Sequence, residues 1–493
     1  MFKLQSGRIL GLAVAALLIF MLTACAGSST GHSSVQIVGP SITTQPVGPS
    51  ISSGQTATLT VAANGSGTLT YQWYQGPSGT TTAPISGATS SSYMTPALTA
   101  TTSYWVQVTD SNGSANSNTA VVLIAGPRAV QALLFPVLTS GSPIFSSFMA
   151  NVLPNISGVS VSMPWSQIET SQNNYDFTSF DASLQPFLSA DRKVNLIVWP
   201  ATEGGSNSST PLYVFNASYA ASLPGNPPPQ DVSYCASYTG SGALQNQIAN
   251  INTPGFDNTG LPVSYEVPFM TAYQKFMQAV IAHYNGNAAT PIGYIRFGMS
   301  QGGESSPECN QYWPNYSETT YINYVTQMTQ FITAQNPSMT ILEDLHAVGT
   351  TPDYTYPDQE AAIAVANREG FGTNGWQQSD IQSFQNNEPC DSDWCAMFAT
   401  YAGTKYGGTP ITLSLQTLEW SDPTGASQTG SLVQLIPFAQ TNAANNLELY
   451  LADVGLAFDL ANYCNYPHAT CSDATSANST AYAGAIETFL APP

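Results

Sequence analysis

Beyond Gly126 and Pro127 the chain repeats one unit: a short apolar run, then a stretch with helical spacing. The apolar runs are 131–138, 158–165, 193–200, 292–299, 339–346, a shorter one at 371–377, 410–417 and 446–453. Near-continuous Val, Ile and Leu over so few residues suits strands buried on both faces. Helical stretches fall between them, among them 267–284, 317–335, 357–368, 432–444 and 480–490. Ser317 suits the N-cap of the second, with Glu318 favourably placed in its first turn. Strands alternating with helices build a parallel sheet covered on both faces. Eight such units in roughly 365 residues predict a closed (β/α)8 barrel of the TIM type across 127–493. A Pro-, Gly- and Asn-rich insertion at about 206–265 follows the third strand, so it is expected to overhang the barrel mouth.

Residues 36–125 follow a different rule. Thr56–Val61, Tyr71–Tyr74, Ser103–Val108 and Thr119–Ile124 alternate with period two between Gly, Ser and Asn turns. That pattern predicts an all-β sandwich. The segment resembles an immunoglobulin-like domain of bacterial surface proteins. The resemblance implies that Trp73 is the core tryptophan and Tyr104 the corner tyrosine. It places Val61 and Val106 where paired cysteines stand in such domains, so packing alone would hold the sandwich. Such modules act mostly as spacers.

The N-terminus reads as an address. Lys3 and Arg8 precede an apolar run, Ile9–Met21, as in a secretory signal. Leu22-Thr23-Ala24-Cys25 resembles a bacterial lipobox. The resemblance implies a signal peptide at 1–24, lipidation of Cys25 and a Ser/Gly tether at 25–35. The expected location is the bacterial cell envelope, at the outer membrane or cell surface, with the lipid as the only membrane contact. No later run reaches the ~18 apolar residues that span a bilayer.

Six cysteines remain: Cys235, Cys309, Cys390, Cys395, Cys464 and Cys471. In an exported chain an even count predicts disulfides. Cys390–Cys395 and Cys464–Cys471 would close small local loops and leave Cys235 to meet Cys309, one of about fifteen possible pairings. No CxxC occurs and the four histidines are scattered, so no metal site and no cofactor are expected. The formal charge is −20, with only 9 Lys and Arg. A nucleic-acid partner would need basic clusters, which this chain lacks. A surface so poor in charge suits neutral polar matter such as a polysaccharide.

Chemistry in such barrels sits at the C-terminal ends of strands. There the sequence reads Trp165-Ser166-Gln167-Ile168-Glu169, then Tyr175-Asp176-Phe177 and Asp181. Gln301-Gly302-Gly303-Glu304 follows the fourth strand, and Leu418-Glu419-Trp420 follows the seventh. These motifs resemble the retaining glycoside hydrolases of the large (β/α)8 clan. The resemblance implies that Glu304 is the acid/base and Glu419 the nucleophile. It departs at Gly303, where the clan usually has Asn; a Gly there resembles β-amylase-like barrels, which invert. The chemistry itself needs one carboxylic acid on the leaving oxygen and a second carboxylate at the oxocarbenium-like centre. Trp165, Trp199, Trp376 and Trp420 all fall near strand ends, where rings stack on the apolar faces of sugars. Glu203, Glu343, Asp344 and Glu448 are substitutes for the catalytic pair. Arg296, within the fourth strand, needs a buried partner, and Glu343 or Glu448 could supply it.

Other readings exist. A non-catalytic carbohydrate-binding or adhesion protein on an inactive barrel needs no converging carboxylates. A serine esterase would use Ser300 in Gly298-Met299-Ser300-Gln301-Gly302, with Asp453 and His468 after it. A nucleophile elbow must run into a helix, and Gly302-Gly303 with Pro307 does not suit one. Gly370-Phe371-Gly372-Thr373-Asn374-Gly375 follows a helix and precedes a strand, the reverse of a dinucleotide site.

Overall fold

The computed structural model describes residues 39–491 apart from 126–127, 135–137, 202–208, 235–246, 255–259, 299–312, 346–354, 377–399, 402–403, 407–408, 418–420, 426–428 and 442–443. The N-terminal part is a sandwich of short strands. Its larger sheet runs Ser50–Ser52, Ala120–Ala125, Thr102–Asp110, Thr70–Gln75. Ser50–Ser52 pairs with Leu123–Ala125 in parallel, while the other pairs of this sheet are antiparallel. Smaller ladders join Ser41–Thr44 to Ala62–Asn64 and Thr58–Thr60 to Ser92–Met94. Trp73 is fully buried beside Leu59, Tyr104, Val106 and Val122, and donates its Nε1–H to Ser90 O at 2.9 Å. Val61 and Val106 lie in this core and fill it without a disulfide.

Eight parallel strands then close a barrel. They are β1 (Ala129–Leu134), β2 (Gly158–Pro164), β3 (Lys193–Trp199), β4 (Ile292–Phe297), β5 (Thr340–Leu345), β6 (Gly370–Trp376), β7 (Leu413–Thr417) and β8 (Asn446–Leu449). The shortest of the apolar runs, at 371–377, is thus a full barrel strand. The described α-helices of eight or more residues around them are α1 (Thr178–Ser189), α2 (Val267–Tyr284), α3 (Glu318–Ala334), α4 (Thr355–Ala366), α5 (Leu432–Thr441), α6 (Leu451–Phe458) and α7 (Ser476–Leu490). Ser317 caps α3 by accepting from Thr320 N. Among the described residues no helix is long and apolar enough to cross a membrane.

Alternation decides what each barrel residue meets. Val159, Val161, Met163, Leu196, Val198, Ile295, Phe297, Leu447 and Leu449 pack outward into one cluster with the helices. Leu133, Ile197 and Leu342 are buried but belong to the other face, inside the barrel. The chain enters this domain at the foot, since Ala129 opens β1. Arg128 lies over the Phe489 ring, 5.5 Å from its centroid, and Val121 of the sandwich packs against the barrel cluster.

The insertion after β3 returns to the barrel by hydrogen bonds. Ser166 N donates to Ser209 O at 2.6 Å, and Thr210 Oγ1 donates to Pro200 O at 2.7 Å. Farther on, a small antiparallel sheet joins Val232–Tyr234 to Gln247–Ala249 and Leu261–Pro262. Gln230 fastens that sheet to α2, accepting from Phe269 N at 2.9 Å.

Candidate active site

Most such barrels fill their interior with branched aliphatic layers. This one is polar. Ser160, Arg296, Gly372 and Glu448 come from the even strands β2, β4, β6 and β8; Leu133, Ile197, Asp344 and Gln416 come from the odd ones. A Cβ at Gly372 would come within 3.3 Å of Ser414 Cβ and 3.4 Å of Asp344 Oδ1, so the wall is tight there. Arg296 Nη1 donates to Glu448 Oε2 and, at 2.6 Å, to Gln416 Oε1. Asp344 Oδ2 stands 3.8 Å from its Nε. Tyr294 donates to the other oxygen of Glu448 at 2.6 Å, and its own oxygen lies 2.9 Å from Ser160 Oγ.

This network decides between the two partners named for Arg296. Glu448 holds it. Glu343 points to the other side of the wall, where its Oε2 lies 3.3 Å from Thr329 Oγ1 of α3. Glu343, Asp344 and Glu448 are all fully buried. Glu343 faces the helices and not the barrel interior, which corrects its standing as a substitute for the catalytic pair; Asp344 and Glu448 face Arg296.

Trp165 is a second correction. Its position just past β2 is as expected, but the ring turns outward and has no exposed surface. It stacks on Phe276 of α2 at 5.4 Å and donates to Glu169 Oε2 at 2.6 Å. Glu169 also accepts from Asn173 N at 2.6 Å and Tyr213 OH at 2.9 Å. The Trp-x-x-Ile-Glu pattern is therefore a brace between β2, α2 and the insertion, and Trp165 presents nothing for a sugar to stack on. Asp181 is another such brace: it lies 2.8 Å from His283 Nε2 and accepts from Tyr284 OH at 2.8 Å.

Trp199 is half-buried at the last residue of β3, on the inward face above Ile197. Trp376 ends β6, and its side chain lies outside the described residues. Glu304, Glu419, Trp420, Glu203 and Ser300 lie outside them as well, as do Cys25, Cys235, Cys309, Cys390 and Cys395. Cys464 and Cys471 form a disulfide. Asp453 accepts from Ser421 N at 2.9 Å and Ser421 Oγ at 2.6 Å, while His468 is exposed. Among the described residues no group of three or more His, Cys, Asp and Glu could hold a metal ion.

Residues 40–127 match the model of a family described as an Ig-like domain, CHU_C associated. No curated protein matches the chain. Among solved structures, the chain is similar to the native xylanase 10B of Thermotoga maritima, at 9% identity over 74% of this chain and 96% of that one, with a TM-score of 0.42. It is similar to the intracellular xylanase of Thermoanaerobacterium saccharolyticum at 12% identity, over 66% and 85%, with a TM-score of 0.35. A chimeric titin Z1Z2 matches at 20% identity over 18% of this chain and 97% of that one, with a TM-score of 0.15. The chain thus carries an Ig-like domain followed by a closed eight-stranded parallel barrel.

Proposed function

We propose that the barrel hydrolyses glycosidic bonds of a neutral polysaccharide, with Glu304 as acid and Glu419 as nucleophile or base. One observation carries this reading. β4 ends at Phe297 and β7 at Thr417, so Glu304 and Glu419 each follow a strand that runs out at the mouth. The polar interior strengthens it by elimination, because Arg296 and the barrel wall already hold the other candidate carboxylates of β5 and β8. Trp199 supplies an aromatic rim.

The test is turnover of a panel of neutral polysaccharides, xylan among them, by wild type, Glu304→Gln and Glu419→Gln. Each variant should lose at least ~10²-fold in rate, the low end for a general acid–base group. Binding should persist. Wild type that binds but never cleaves would mean a non-catalytic barrel. Normal cleavage by both variants would displace the two residues from their roles. The anomer first released distinguishes retention from inversion.

The same proposal includes export and attachment to the cell envelope through a lipid on Cys25, with the Ig-like domain as spacer. Cys25→Ser should abolish labelling by a fatty-acid probe. Equal labelling of both forms would exclude the anchor.

A further inference from the structure

Of the inward side chains below the rim, Ser160, Asp344 and Glu448 are sealed, and Leu133, Ile197 and Arg296 nearly so. Ser162 and Gln416 keep 5% and 6% of their surface open. Gln416 is the last inward side chain described on β7, one residue before the strand ends at Thr417. Ser162 stands two residues beyond Ser160 on β2, and Gly298 two residues beyond Arg296, just past β4. At those two positions little side chain rises above the level of Arg296.

The orientation of the Gln416 amide is fixed. A guanidinium only donates, so the atom that meets Arg296 Nη1 at 2.6 Å is the amide oxygen. Arg296 is itself held by Glu448, with Asp344 Oδ2 3.8 Å from its Nε. The amide nitrogen of Gln416 therefore faces the other way. It makes no hydrogen bond among the described residues, and it is not one of their enclosed unpartnered atoms. Leu133 and Ile197, from the other odd strands, are apolar and offer it no acceptor. A buried ion pair thus ends in a neutral amide with two N–H donors and no acceptor turned to the mouth.

We propose that Gln416 is a substrate-contacting residue of the mouth, donating from Nε2 to a hydroxyl or ring oxygen of a neutral sugar unit seated over the barrel axis. This role rests on the reading of the mouth as a glycan site and adds a specificity to it. A donor with no acceptor beside it selects an oxygen and rejects an ammonium, so a neutral sugar is held and an amino sugar is not. Arg296 and Glu448 are positioning residues: they keep the amide from turning over.

The experiment is calorimetric titration of wild type, Gln416→Glu and Gln416→Met with cellotetraose, xylotetraose and the glucosamine tetramer at about 0.15 M salt, where long-range charge is screened. Gln416→Glu is the discriminating change. Ionised beside Arg296, it keeps an acceptor of the same length and has no N–H. A glutamine that served only to hold Arg296 would be replaced by it without loss. As a substrate contact, Gln416→Glu should weaken the better neutral probe at least ~10-fold, the scale of one hydrogen bond. Gln416→Met should weaken it by a similar factor, and the glucosamine tetramer should bind wild type less tightly than that probe. Undiminished affinity in Gln416→Glu, or a glucosamine tetramer that binds wild type as well as the neutral probe, would overturn the assignment. Should neither variant fold, a crystal of the wild type soaked with the better probe decides. A sugar oxygen should lie ~3 Å from Nε2; a sugar bound with Nε2 facing water would overturn the role. Cleavage is followed separately by chromatography. A probe that binds without being cleaved removes the hydrolytic reading and leaves the role of Gln416 to be read in affinity, whereas binding of no probe removes both.

Discussion

Arg296 is the side chain hardest to reconcile with its surroundings, since an isolated charge inside a barrel is untenable. Its partners define its stability. Removing one member of a buried pair leaves the other uncompensated and costs about 3–5 kcal/mol, far more than losing a surface pair. Glu448→Ala should therefore destabilise the barrel by that amount in urea unfolding, and Tyr294 should lose its acceptor with it. A loss below about 1 kcal/mol would show that Asp344, 3.8 Å away, balances Arg296 unaided. Asp344 and Glu448 both face this one charge inside the barrel.

At the scale of elements, the barrel was legible because its strands are buried on two faces and its helices on one. The α2 range could be read from the sequence because Val267–Tyr284 keeps its apolar spacing unbroken, and Ser317 could be read as a cap from its local chemistry. What could not be read was direction. Trp165 stands one residue past β2, and nothing in the local pattern says whether a ring there turns to the axis or to the helices. Phe269, Tyr273 and Phe276, a hundred residues later, settle it by building an aromatic pocket on α2. Glu343 was ambiguous for a related reason. It neighbours Asp344, and a one-residue step along a strand exchanges the barrel interior for the helix layer. The run at 446–453 was too long because Leu451–Phe458 is as apolar as a strand, yet it turns into α6.

For the molecule as a whole, the carboxyl groups set a pH preference. Burial pushes Glu266 up to about 8 and Asp453 to about 6, and raises Glu360 and Glu369 well above the usual range. For Glu360, the charges of Glu343 and Asp344 add to burial. Each of these acids keeps in the folded state a proton that the unfolded chain gives up near pH ~4–4.5. Their contribution is present in full below that value and is lost as pH rises toward about 8. Asp110 and Asp176 work the other way, because backbone N–H donors lower their values, and they favour the fold only above ~4. Thermal unfolding should accordingly give a higher midpoint at pH 5 than at pH 8, with a decline again below about pH 4. A midpoint that climbs from pH 5 to pH 8 would contradict this.

The parallel pairing of Ser50–Ser52 with Leu123–Ala125 has a mechanical consequence. The first strand follows Ser41–Thr44, near the start of the Ig-like domain, and the second leaves the domain toward the barrel. In a parallel pair, a pull on those two ends runs along the strands and across every hydrogen bond between them at once. The bonds must fail together in shear instead of unzipping one by one. Tension between the N-terminal side of the chain and the barrel would therefore meet a latch inside the domain that transmits it.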